Sequence, residues 1–115
     1  MVDKSSAVKA IRQNGAATVV ELRGDVDLHH VPEVHAALLA ECAKHPPVLI
    51  IDLGDVHYMD SSGVGVLVQV YQKMKAGGGK LRLVRVRDRV RGIIEITRLD
   101  QYFAIFDSEE EAVRS

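Results

Sequence analysis

Tryptophan is missing from this 115-residue chain, and two Phe and three Tyr are all its aromatic residues. So few rings exclude the stacking platforms on which single-stranded nucleic acid is held. Cysteine occurs once, at position 42, so neither an internal disulfide nor a thiolate zinc site can form, and Cys42 falls on an apolar helical stripe where burial is expected. Long apolar runs are also lacking. The longest aliphatic stretch, Val48-Leu49-Ile50-Ile51, stops at Asp52, far short of the roughly 20 residues of a membrane-spanning helix, and no signal-peptide core opens the chain. No sign of charge dominates either. Fifteen Lys and Arg stand against sixteen Asp and Glu, a formal net charge of −1, so the molecule has no overall field to draw it to DNA, RNA or anionic lipid. A soluble, cytoplasmic protein with no membrane span and no direct nucleic-acid partner is the expectation.

What is present is globular: 47% hydrophobic and 27% charged residues, enough for one domain over residues 1–115 that buries about two-thirds of its unfolded surface. Ala7–Gln13 and Thr18–Arg23 are β-type runs around Asn14-Gly15, which predicts an opening hairpin. Val34, Leu38 and Cys42 recur at helical spacing from Pro32 to Lys44, and Pro46-Pro47 ends that pattern. Val48–Leu53 reads as a strand covered on both faces, broken by Gly54-Asp55. A second helix follows Ser61-Ser62-Gly63 on the face Val64, Leu67, Val68, Tyr71 and Met74, and stops at Gly77-Gly78-Gly79. Leu81–Val86 is the next strand. Asp88 can cap a short helix carrying Val90, Ile93, Ile94 and Thr97, Tyr102–Phe106 is a last strand, and Ser108 with Glu111 has capping-box spacing. Alternating strands and helices after a hairpin predict an α/β fold with a mostly parallel sheet.

Most catalytic motifs fail on inspection. Around Ser61 a nucleophile elbow would need glycine at 59, which is Met59. Gly79-Lys80 lacks the hydroxyl of a phosphate-binding loop, since Leu81 follows, and Gly63 with Gly65 has Val68 where a dinucleotide fingerprint needs glycine. His29, His30 and His35 lie near Asp25, Asp27 and Glu33, but His30 and His35 are five apart rather than four, so solvated loop residues are expected instead of a metal site. Residues 80–98 hold seven Lys or Arg against Asp88 and Glu95, a net +5. That stretch reads as a solvated strand edge and helix start, or as a docking face for an acidic protein.

One segment stands apart. His57-Tyr58-Met59-Asp60-Ser61-Ser62-Gly63 carries small polar residues from the end of the central strand into a helix start, where unpaired N–H groups and about half a positive charge gather. Ordinary capping by Asp60, Ser61 or Ser62 accounts for the same residues, so spacing alone leaves the choice open.

Met59-Asp60-Ser61-Ser62-Gly63-Val64-Gly65-Val66 resembles the signature of the STAS family, the domain shared by sulphate transporters and bacterial anti-sigma factor antagonists. Gly24-Asp25-Val26-Asp27 before Val31-Pro32-Glu33 is similar to the family's strand-to-helix segment, and Val48–Asp52 to its central strand. The resemblance implies a four- to five-stranded mixed sheet with about four helices packed largely on one side. It also implies a non-enzymatic binding module without a cofactor, switched by phosphorylation of Ser61. The partner would be an anti-sigma factor that is itself a serine kinase with a histidine-kinase-like ATPase fold, and a PP2C-type serine phosphatase would reset the switch. By the same resemblance Asp60, Ser62 and Gly63 shape the site, and Asp27 lies on the kinase-facing surface. Two other classes stay open: a STAS scaffold in another signalling or lipid-transport complex, and a small nucleotide-binding or hydrolytic enzyme, against which the lack of a base paired to Ser61 weighs.

Overall fold

The computed structural model describes residues 6–115. Strand β1 spans Val8–Asn14, β2 Ala17–Val26, helix α1 Val31–Cys42, β3 Val48–Met59, α2 Ser61–Ala76, β4 Lys80–Val84, α3 Asp88–Ile96, β5 Ala104–Phe106 and α4 Glu109–Arg114, with a 3-10 turn at Leu99–Gln101. The five strands form one sheet in the order β1-β2-β3-β4-β5. β1 pairs antiparallel with β2 and every later pair is parallel. Each parallel step moves one strand in the same direction, and a β-helix-β crossover is right-handed. Those two facts send α1, α2 and α3 to one face of the sheet. The side chains follow: Val20, Leu49, Ile51 and Leu53 point to that face and pack with Val34 and Leu38 of α1, Leu67 and Val70 of α2, and Val90 and Ile94 of α3. Val19, Ile50 and Val84 alternate to the opposite face, where Ala112 of α4 joins them in a smaller cluster. The mixed α/β sheet with helices largely on one side is therefore as expected, α4 being the exception.

Several boundaries differ from the sequence expectation: β4 ends at Val84 rather than Val86 and β5 starts at Ala104 rather than Tyr102, and three further differences have a local cause. The hairpin loop is Gly15-Ala16, since Asn14 pairs with Ala17, and its positive φ of 62° falls on Gly15, the first loop residue, as in type II′ turns. β3 does not stop at Gly54-Asp55. It continues to Met59 because β2 keeps pace as far as Val26, absorbing two register shifts, between Glu21 and Arg23 and between Gly24 and Asp25. Gly54 has a packing reason to be glycine: an ideal Cβ there would lie 2.5 Å from Arg85 Nη2. Bare backbone lets the Arg85 side chain lie on the strand and donate from Nε to buried Asp52 Oδ1 at 3.0 Å. Asp88 is the first residue of α3 rather than its cap, Arg87 holding that position without a capping side chain.

Helix α4 has only six residues, too few to be stable on their own, and it is tied to the sheet by charge. Both terminal nitrogens of Arg12 on β1 donate to the Glu109 carboxylate, as does Asn14 Nδ2 at 2.6 Å. At the other end the Nη1 of buried Arg82 donates to Ala112 O at 2.6 Å. The Arg12 guanidinium holds the Glu109 carboxyl down from 4.5 to about 2. A carboxyl with a lowered folded pKa stabilises the fold above its unfolded value, and that contribution is lost as pH falls through the folded value. Lowering the pH from about 4.5 to about 2 should therefore loosen α4, read as a shift of the Ala112 methyl resonance, and Glu109→Gln should show the same shift at neutral pH.

Candidate functional site

The site grows out of the junction between β3 and α2. Asp60 is the N-cap of α2, with extended backbone, so its short side chain reaches forward over the first turn. Asp60 Oδ1 accepts from Ser62 N at 2.9 Å, from Gly63 N at 3.2 Å and from the Ser62 hydroxyl. Its other oxygen, Oδ2, accepts from Leu28 N at 3.1 Å. One carboxylate thus caps the helix and pins the loop between β2 and α1 to it. Four donors on one carboxylate favour its charged form, and the Ser62 hydroxyl, ahead of the backbone donors, lowers the Asp60 pKa.

The two serines are sorted by this arrangement. The Ser62 hydroxyl is turned inward and spent on Asp60, and Ser62 is half-buried. Ser61, the first residue of α2, is exposed, and among the described residues its hydroxyl has no hydrogen-bond partner. Val64 N makes the first helical bond, to Asp60 O at 3.1 Å. With the N–H groups of Ser62 and Gly63 already on Asp60, Ser61 N–H is the only unmatched donor of that first turn. A phosphoryl group on Ser61 would therefore find one free backbone N–H at the helix end. It would stand outward in solvent beside the Asp60 charge.

Gly63 is buried, and its lack of a side chain serves the interior. A Cβ there would come within 2.6 Å of both Met59 Cγ and Val26 O, distances that no relaxed packing allows. The glycine lets α2 press against the ends of β2 and β3, and so fixes how Ser61 is presented.

Asp27 sits at the other side of the pinned loop. Its Oδ1 accepts from His30 N at 3.1 Å and His30 Nδ1 at 2.8 Å, and its carbonyl accepts from His30 N and Val31 N. The His30 ring, ahead of any other group, holds the Asp27 carboxyl below its ordinary range. Next to it Leu28 is 75% exposed, and Tyr58 near the end of β3 is 44% exposed. Sequence reasoning missed these two apolar side chains, because an isolated Leu or Tyr carries no signal until a fold shows that it faces out. The structure thus brings Asp27, Asp60, Ser61 and Ser62 to one end of the sheet, with Gly63 beneath them.

The remaining candidates scatter. His35 is in α1 rather than a loop, and among the described residues no group of three His, Cys, Asp or Glu could hold a metal. Cys42 is half-buried, and burial pushes its thiol pKa up, which makes it a poor nucleophile. Of the basic stretch, Arg82 is buried against α4, Arg85 is paired with Asp52, and Arg87 Nε donates to Gly54 O at 2.6 Å. No described helix is long and apolar enough to cross a membrane.

Asp60→Ala removes the cap and the Leu28 tether together. A lost cap costs about 1 kcal/mol, so the melting temperature should fall by roughly 4 °C for a domain of this size. Asp60→Asn keeps an acceptor for the helix but presents an amide donor to Leu28 N–H, so hydrogen exchange should quicken at Leu28 while the first turn of α2 stays protected.

Residues 8–112 match the family model described as STAS domain. The chain belongs to the STAS domain family. Among similar relatives is the anti-sigma-B factor antagonist of Bacillus subtilis, 32% identical over 104 residues that cover 90% of this chain and 94% of that protein. The anti-sigma-B factor antagonist of Listeria monocytogenes is 36% identical over 88 residues, 76% of this chain and 77% of the relative. A crystal structure of an anti-sigma factor antagonist from Mycobacterium paratuberculosis superposes with a TM-score of 0.86 at 25% identity, over 98% of this chain and 97% of that one. The Bacillus and Mycobacterium STAS relatives are matched along nearly their whole length and the Listeria relative along about three-quarters of it.

Proposed function

We propose that this protein is an anti-sigma factor antagonist, a cytoplasmic single-domain module over residues 1–115 that binds an anti-sigma factor when Ser61 is unmodified and lets go when Ser61 carries phosphate. The observation that carries the reading is the contrast between the two serines: Ser62 is locked inward on Asp60, whereas Ser61 is the exposed, unbonded hydroxyl at the head of α2. The similarity to anti-sigma-B factor antagonists, over 94% of one relative and 77% of another, supports it.

The physics of the switch follows from the cap. Phosphate adds about −1.5 to −2 charges and three acceptor oxygens. With the Ser62 and Gly63 N–H groups committed to Asp60 and only that of Ser61 left free, the new charge also points at whatever lies against this end of the sheet. A partner packed there, over Leu28 and Tyr58, must desolvate that charge next to Asp60, which is unfavourable. The backbone has no reason to rearrange, so the switch acts at the interface. A serine kinase with a histidine-kinase-like ATPase fold as the partner, and a PP2C-type phosphatase to restore the hydroxyl, complete the cycle. On this reading the chain supplies a substrate hydroxyl and a docking surface, with no base positioned on Ser61 for catalysis of its own.

Incubating the protein with its purified anti-sigma factor and ATP, then mapping the modified residue by fragment mass spectrometry, tests the assignment. One phosphate on Ser61 is expected. Phosphate on Ser62, or none while the partner binds tightly, would refute it.

A further inference from the structure

The top end of the sheet carries two adjoining concavities that differ in charge. One, whose lining includes Lys9, Arg23, Asp25, Asp55 and, shared with its neighbour, His57, holds both signs, and Lys9 Nζ is already 2.7 Å from Asp55 Oδ2. The other is lined by His57, Arg87 and Arg89 alone, with no carboxylate in its wall. His57 lies at the end of β3, four residues before Ser61, while Arg87 and Arg89 open α3 on the neighbouring side. Parallel strands put the end of β3 and the start of α3 at the same end of the sheet as the head of α2.

The arginines there are partly pre-positioned. Arg87 donates from Nε to Gly54 O at 2.6 Å, which fixes the guanidinium while, among the described residues, its two terminal nitrogens have no partner. Arg89 likewise has none. The nearby carboxylates Asp52 and Asp55 are hydrogen-bonded to Arg85 and Lys9 rather than to the notch; Asp55 interacts with Arg87 only through space, and Asp88 lies between the two arginines in sequence. A guanidinium held at one nitrogen loses less freedom when its remaining fork meets a carboxylate.

We infer that the notch formed by His57, Arg87 and Arg89 is a docking point for an acidic segment of a protein partner, read as a run of Glu or Asp carboxylates. The inference takes from the proposed function only that a protein is met at this end of the sheet. It adds a positive anchor beside the Ser61 surface, so that phosphorylation would weaken one half of an interface whose other half is electrostatically held.

The test is an NMR titration of the isotope-labelled full chain with an octa-glutamate peptide at low ionic strength. Shifts concentrated at His57, Arg87 and Arg89 are expected, with the apparent affinity reduced roughly 3- to 30-fold in the Arg87→Gln/Arg89→Gln double variant, the loss expected when two exposed ion pairs are removed. Salt at 0.5 M should erase the difference. No shift, shifts centred on Lys9 and Arg23, or an equal response in the double variant would each overturn the inference. So would inorganic phosphate producing the same shifts at matched charge, which would make the notch a small-anion site. None of these outcomes touches Ser61 phosphorylation, so failure here and failure of the proposed function are told apart.

Discussion

Replacing Gly63 with valine should unfold or severely destabilise this protein, a larger effect than any surface change at the site. Its Cβ alone would meet a backbone oxygen, Val26 O, and Met59 Cγ at 2.6 Å. Met59 can move, but Val26 O belongs to β2 and accepts from Asp60 N at 3.3 Å. Relief therefore requires α2 to lift off the sheet. Overpacking of a rigid core typically costs about 1 to 3 kcal/mol and more where backbone is the obstacle, and the two γ-methyls of valine add to it. Gly63→Ala should cost roughly 2 kcal/mol, measured by urea denaturation with an unchanged m-value. An alanine variant as stable as the parent would show that α2 is not held as tightly as the structure has it. The resemblance has Gly63 shape the site, and the geometry shows that it does so from within: the crowding by a Cβ is internal, and loss of binding would follow from loss of fold.

Ser61→Glu should weaken binding to the anti-sigma factor by roughly 5- to 150-fold, about 1 to 3 kcal/mol, with the fold intact. Ser61 is exposed and makes no hydrogen bond among the described residues, so the glutamate costs nothing inside the molecule. At the interface it puts a carboxylate beside Asp60, whose own charge is stabilised by four donors and will not yield by protonation near neutral pH. Ser61→Ala should bind like the parent and accept no phosphate. Ser62→Ala has a different signature: it removes the hydroxyl donor to Asp60 and leaves a modest loss of stability with phosphorylation retained. Calorimetric titration of the three variants separates these outcomes.

Much of this could be read from the chain because the signals were local and periodic. The helical stripe Val64, Leu67 and Met74 and the aliphatic run Val48–Leu53 each specify one kind of element and one kind of burial. The signature around Asp60 and Ser61 pointed to the candidate site. What escaped depended on contacts distant in sequence. Gly54 looks like a strand breaker, and only the arrival of Arg85 from the next loop shows that the bare backbone is a seat for a side chain. Arg82 looks like one of several solvated cations, yet it is buried under α4. The division of labour between Ser61 and Ser62 could not be read from adjacent identical residues. It comes from the extended backbone of Asp60, which directs its carboxylate over Ser62 and past Ser61.

On the proposed function, one phosphate on Ser61 governs partner binding without reshaping the protein. The most direct measurement is calorimetric titration of the anti-sigma factor into this protein before and after stoichiometric phosphorylation of Ser61, with an amide NMR spectrum of each form. Tight binding is expected before, a loss of at least roughly fivefold after, and shifts confined to the loop around Leu28 and the first turn of α2. Equal affinity for the two forms, or a loss accompanied by changes across the sheet, would contradict it.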